Sequence, residues 1–169
     1  PIRPNFYDFQ YKLTHQLNSK TTLTALGVGA IDNFSFGTTK NASPENEYLR
    51  RSLPVINQWN YTTGFTLKRL INNGYINMAL SRNMFNNELD RFEDAQYNNE
   101  QKRNFKLRSQ EMENKFRIDV NKYINGWKIG YGGVVQYVKY NTALFNKLSE
   151  PIYDSTGTVL FPGSIRFES

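Results

Sequence analysis

The clearest pattern in the chain is alternation of apolar and polar positions with a period of two. Tyr7, Phe9, Tyr11, Leu13, His15 and Leu17 alternate with Asp8, Gln10, Lys12, Thr14 and Gln16. In an extended strand successive side chains point to opposite faces, so this segment has one largely apolar face and one fully hydrophilic face. A helix would mix the two sets around its circumference. The same pattern returns with Trp59, Tyr61, Thr63, Phe65 and Leu67 against Asn60, Thr62, Gly64, Thr66 and Lys68. Ile76, Met78, Leu80 and Met84 then alternate with Asn77, Ala79, Ser81 and Asn83, with Arg82 interrupting the apolar side. A last run carries Trp127, Ile129, Tyr131, Val135 and Tyr137 on one side. Two further segments read as strands: residues 22–36, rich in β-branched and small residues, and residues 105–123, where Phe116, Ile118 and Val120 alternate late. The segment 101–115, rich in Glu, Lys, Arg and Gln, keeps a helix as an open alternative.

Turn chemistry divides these runs. Asn18-Ser19-Lys20, Asn72-Asn73-Gly74 and Asn125-Gly126 mark three short, nearly evenly spaced turns. Asn-Gly readily supplies the positive φ that tight hairpins need. Longer polar connections fall between them, at residues 37–57, 93–103 and after residue 148. Short turns at one end and long loops at the other define an all-β, antiparallel, up-and-down meander of about six long strands. Its hairpins are expected at about 6–36, 58–92 and 104–148, within a single unit spanning 1–169. The strands are long for a globular protein, whose strands average ~5–6 residues. A tilted membrane strand needs ~9–11. Tyr75, Tyr123 and Trp127 sit beside the short turns, where an interfacial aromatic girdle lies in a membrane barrel.

Composition sharpens this picture. The 169 residues are 38% hydrophobic and 15% aromatic, which suits strands with one greasy and one wet face better than a conventional core. The net charge is +6, but the basic residues are scattered, and nucleic acid is not an expected partner. Absence of cysteine removes disulfide frameworks, thiolate nucleophiles and thiolate zinc sites. No stretch approaches the ~18 apolar residues of a membrane helix. Pro1-Ile2-Arg3-Pro4 carries neither an initiating Met nor a signal peptide, and is read as a cut within a longer chain.

Three segments resemble an early barrel hairpin of TonB-dependent outer-membrane receptors. They are Phe6-Tyr7-Asp8-Phe9-Gln10-Tyr11-Lys12-Leu13, Leu17-Asn18-Ser19-Lys20-Thr21-Thr22-Leu23 and Gly27-Val28-Gly29-Ala30-Ile31-Asp32. Pro162-Gly163-Ser164-Ile165-Arg166-Phe167 is similar to the entry into a further barrel strand. The resemblance rests on a pattern of hairpins, not on a catalytic signature. It implies part of a larger transmembrane β-barrel in the bacterial outer membrane, importing a metal chelate, cobalamin or a glycan. Its partners would be outer-membrane lipid, the small-molecule or glycan ligand, and the TonB system acting through a plug domain. No plug-like segment and no TonB box is recognisable in the chain, so no transport residue carries over. Too few strands to close a barrel leave open edges through which the segment could self-associate.

The chemistry-bearing residues do not assemble an enzyme. Gly27-Val28-Gly29 and Gly130-Tyr131-Gly132-Gly133 complete no phosphate-binding loop. Glu111 and Glu113 share a strand face, but Lys106, Arg108, Lys115 and Arg117 surround them, which favours ordinary charge pairing over a shielded acid–base pair. His15 is the single histidine, and no cofactor or metal is expected. Asp90, Glu93 and Asp94 offer hard oxygen ligands without a calcium-loop signature. The expected ligand-binding residues are Tyr48, Arg50 and Arg51 in the 37–57 loop, because a planar ring and guanidinium forks suit sugars and anionic chelates. The competing reading is a soluble β-sandwich or small-barrel binding module for carbohydrate or protein, whose apolar face the chain itself would cover.

Overall fold

The computed structural model describes residues 2–36, 43–93 and 99–169, except the side chains of residues 2, 36 and 49–51. The chain forms strands β1 (Ile2–Asn18) and β2 (Thr21–Phe36), helix α1 (Pro44–Ser52), then β3 (Val55–Ile71) and β4 (Gly74–Phe92). A single 3-10 turn (Glu100–Lys102) leads into β5 (Arg103–Ile124) and β6 (Trp127–Lys147). Three short strands follow: β7 (Ile152–Tyr153), β8 (Val159–Phe161) and β9 (Ser164–Glu168). One antiparallel sheet has the order β1-β2-β3-β4-β5-β6-β9, and β7–β8 form a separate small hairpin. The architecture is therefore the meander expected from the alternation.

The turns differ from expectation in one detail. At the second short turn Ile71 pairs with Gly74, so Asn72-Asn73 form the turn and Gly74 opens β4. Asn73 carries the positive φ of 57°. Gly74 has a different reason to be glycine: a Cβ there would lie 2.0 Å from the Asn121 carbonyl oxygen of β5. At the third turn both Asn125 and Gly126 have positive φ, 49° and 82°, as a tight type I′ hairpin requires.

The charged segment that admitted a helix is a strand from Arg103 onward, after the 3-10 turn that holds Gln101 and Lys102. Glu88 and Asp90 of β4 hold Arg108, and Gln136 of β6 donates to Glu113 at 2.6 Å. Pairing with β4 and β6 on both sides satisfies its backbone, and this tertiary ladder outweighs local helix propensity. The 37–57 connection is not irregular throughout. Ser43 caps α1, its Oγ accepting from the Asn46 amide at 3.3 Å, and Pro44 occupies the first helical position.

The sheet is a single layer with almost no core. Phe92, 3% exposed, is the one buried hydrophobic residue among those described. The accessible surface is 12164 Å², whereas a folded monomer of 19.7 kDa has about 8,600 Å².

Candidate functional site

Residues directly opposite in an antiparallel ladder share a face. Following register from strand to strand, Leu13, Ala25, Phe65, Leu80, Phe116 and Val135 form one row across six strands. The row next toward the short turns runs His15, Leu23, Leu67, Met78, Ile118 and Gly133. On the loop side lie Phe9, Gly29, Tyr61, Met84 and Met112, then Tyr7, Ile31 and Trp59. Pairing thus aligns the apolar sets of all six long strands on a single face. Among the described residues nothing covers it: Val135 is 71% exposed and Trp127 75%.

The apolar band is not level with the register rows. Its loop-side limit is Tyr7 on β1, and the residue in that row on β6 is Asn141. On β6 the band instead ends at Tyr137, four residues nearer the turn, and Lys139 and Asn141 lie beyond it. That is a drop of ~13 Å along the strand across ~24 Å of sheet, a slant of about 30°. Strands tilted against a flat slab produce such an offset.

Glycines shape this face. The Tyr11 ring lies over Gly27 and the Phe9 ring over Gly29, where a Cβ would meet them at 2.4 and 2.3 Å. Trp59 and Tyr61 stack nearly parallel with centroids 6.1 Å apart. A polar notch interrupts the apolar rows, with Thr63, Arg82 and Asn114 in one row and Arg82 reaching the Met84 sulfur at 3.9 Å, and Thr21, Arg69 and Lys122 add polar positions to the same face nearer the short turns.

The opposite face is hydrophilic over most of its length. Thr62 donates to Asn83 at 3.0 Å, and Gln58 to Asn87 at 2.9 Å. Glu113 binds Lys115 at 2.7 Å as well as Gln136, and Glu111, beside it on the same face, is exposed. At the loop end this changes. Pro4, Phe34, Ile56, Leu89, Leu107, Leu144 and Phe167 stand opposite one another in a single row across seven strands. Sequence reading missed this ledge, because one apolar residue per strand leaves no local signal.

The loop end also gathers the paired charges. Asp90 contacts Arg103 at 3.1 Å and Arg108 at 2.5 Å, and Lys147 bridges Glu93 and Glu150 at 2.9 and 2.5 Å. Both bridging carboxylates raise the Lys147 pKa, Glu150 more strongly. Asp90 and Glu93 are thus engaged by cations rather than free for a metal, and Asp94 lies outside the described residues. No metal-binding cluster occurs among the described residues. In the β7–β8 hairpin Asp154 Oδ1 accepts from the Thr156 hydroxyl and from the Thr156 and Thr158 amides, which holds its carboxyl below the ordinary range. This hairpin displays Ile152, Tyr153 and Leu160 to solvent.

Of the expected ligand-binding residues, Tyr48 stands on α1 with 72% exposure. Arg50 and Arg51 fall in the same helix, but their side chains lie outside the described residues. His15 is exposed on the apolar face near the first turn, with no acidic or histidine neighbour in its row. Comparison of the chain with protein-family models, curated proteins and solved structures found no match.

Proposed function

We propose that this chain is a wall segment of an outer-membrane β-barrel of the TonB-dependent receptor type, passing a scarce nutrient and carrying out no covalent chemistry. The carrying observation is a slanted apolar band on a coreless single-layer sheet. An uncovered face of this size needs an apolar solvent, since exposed patches on soluble monomers rarely exceed a few hundred Å². From Trp127 to Tyr137 the band spans ~33 Å along β6. At a tilt of ~40° that is about 25 Å of height, the thickness of the apolar belt of outer-membrane barrels. The polar face then lines the lumen, and the apolar ledge and Tyr48 stand near its mouth, where a metal chelate, cobalamin or a glycan enters. Single-chain barrels begin at about eight strands, so further strands complete the wall at its two edges.

The receptor resemblance rests on the hairpin segments alone, and the lipid-facing reading rests on the band. The test is fractionation of the expressed protein. Recovery in the outer membrane with heat-modifiable gel migration is the expected result. A detergent-free soluble monomer would overturn the reading and favour a binding module.

A further inference from the structure

The turn end of the sheet is basic. Residues 15–24, 66–79 and 117–133 carry Lys20, Lys68, Arg69, Arg117, Lys122 and Lys128 against a single acid, Asp119. Asp119 lies on the hydrophilic face and is held by Arg117 at 2.7 Å. Strand alternation puts Lys68 and Lys128 on that same face and Arg69 and Lys122 on the apolar one. Arg69 is exposed and Lys122 half-buried, and neither forms an ion pair among the described residues. Both lie inside the sheet, on strands paired on either side, with β4 between them. Lys122 stands opposite Gly74, which has no side chain, and Arg69 opposite Ile76, one row further from the turn. Two strand spacings and two residues thus separate their Cα atoms, about 12 Å. Two long cationic side chains can close on the bare Gly74 backbone across that gap, and Ile76, Met78 and Leu80 continue from it along β4.

The apolar band sets the level of this gap. Leu17, beside the Asn18–Thr21 pair, ends the band on β1. The row from Thr21 reaches β6 at Tyr131, and Trp127 ends the band there, four residues nearer the turn. The turn-side border therefore drops across the six strands just as the loop-side border does. A line from Leu17 to Trp127 passes within one row of Arg69, Gly74 and Lys122. At that border the surroundings of a membrane strand change from acyl chain to headgroup, the level at which amphipathic rings such as Trp127 sit. We propose that Arg69 and Lys122 bind the phosphate of an anionic phospholipid over Gly74, with an acyl chain lying along Ile76, Met78 and Leu80. Charge selects this occupant: two cations without a carboxylate, at the edge of an apolar face, are matched by an anion whose other end is apolar. The Arg69 guanidinium offers a planar fork to two phosphate oxygens, and the Lys122 ammonium adds a point charge from the other side.

The site rests on the lipid-wall reading, and lipid selectivity separates the two. The protein recovered from the membrane is placed in phosphatidylcholine vesicles carrying a trace of spin-labelled phosphatidylglycerol or spin-labelled phosphatidylcholine. Electron paramagnetic resonance then reads the label held at its surface. One cation near a membrane surface supports about a fivefold preference for an anionic lipid, so phosphatidylglycerol should be held at least that strongly over phosphatidylcholine. Arg69→Gln combined with Lys122→Gln should bring the two lipids level. Lys68→Gln combined with Lys128→Gln, the same loss of charge on the opposite face, should leave the preference intact. No preference in the unmodified protein, or equal loss in the two paired variants, with heat-modifiable migration retained, would overturn the inference and leave the lipid-wall reading standing. So would displacement of the label by inorganic phosphate beyond that by sodium chloride of equal ionic strength, which would assign the two cations to free phosphate. Absence of heat-modifiable migration in the unmodified protein would instead remove the wall reading itself, and the inference with it.

Discussion

The Tyr11 hydroxyl meets Thr63 Oγ1 at 2.6 Å across an intervening strand. The two residues lie on β1 and β3, and Gly27 of β2 is the bare backbone between them. Thr63 also reaches the Leu26 carbonyl at 3.3 Å. One aromatic side chain thereby ties three strands together on a face that has no second layer to do so.

Replacing Gly27 with Val puts a branched side chain where the Tyr11 ring lies, 2.4 Å from the new Cβ. The ring must lift and the Thr63 contact is lost. Overpacking of this kind costs about 1–3 kcal/mol. Urea unfolding in detergent micelles should register it, whereas Gly133→Val, with open space around its Cβ, should change little.

Phe65→Arg tests the facing assignment. Phe65 stands between Ala25 and Leu80 in the apolar row. A midplane Arg on the lipid side costs roughly 2–4 kcal/mol, so the heat-modifiable fraction should fall sharply. Thr62→Arg, one residue along and on the hydrophilic face, should assemble normally. Equal assembly of both variants would contradict the assignment.

Gly74 and Asn73 should respond in opposite senses to substitution. Gly74→Ala sets a Cβ 2.0 Å from the Asn121 carbonyl oxygen and must push β4 from β5. The expected loss is on the order of 1–3 kcal/mol. It should be accompanied by faster hydrogen exchange at the Tyr123 amide, which bonds the Asn73 carbonyl at 2.7 Å. Asn73→Gly, at a φ of 57°, should be tolerated.

Acid should loosen the β7–β8 hairpin before the long strands. The Thr156 hydroxyl and the backbone amides around it hold the Asp154 carboxyl below its ordinary range. A carboxylate depressed by folding contributes stability that is present above its unfolded pKa, near 4, and lost as pH falls through the lower folded value. Hydrogen exchange at the Thr156 and Thr158 amides should accelerate in that window. Asp154→Asn should abolish this pH dependence. The Lys147 bridges have the opposite sign: the raised ammonium contributes below the ordinary Lys range and is lost as pH rises through the folded value.

The sequence by itself determined the strands and their two faces. Alternation such as Tyr7-Asp8-Phe9-Gln10 is written in consecutive residues, and the period-two geometry of a strand converts it into facing without reference to any neighbour. The three short turns were legible for the same local reason. Tertiary structure alone decided everything that depends on register. That Phe65 lines up with Leu13 and Phe116, that Gly74 must admit the Asn121 carbonyl, and that Arg103 and Arg108 converge on Asp90 are relations between distant segments. The same holds for the segment near Glu111, whose local preference left helix and strand open until two neighbouring strands took up its hydrogen bonds. The ledge from Pro4 to Phe167 existed only once seven separate residues were brought into one row. A local pattern specifies which way a side chain points; the ladder of backbone bonds specifies what it points beside.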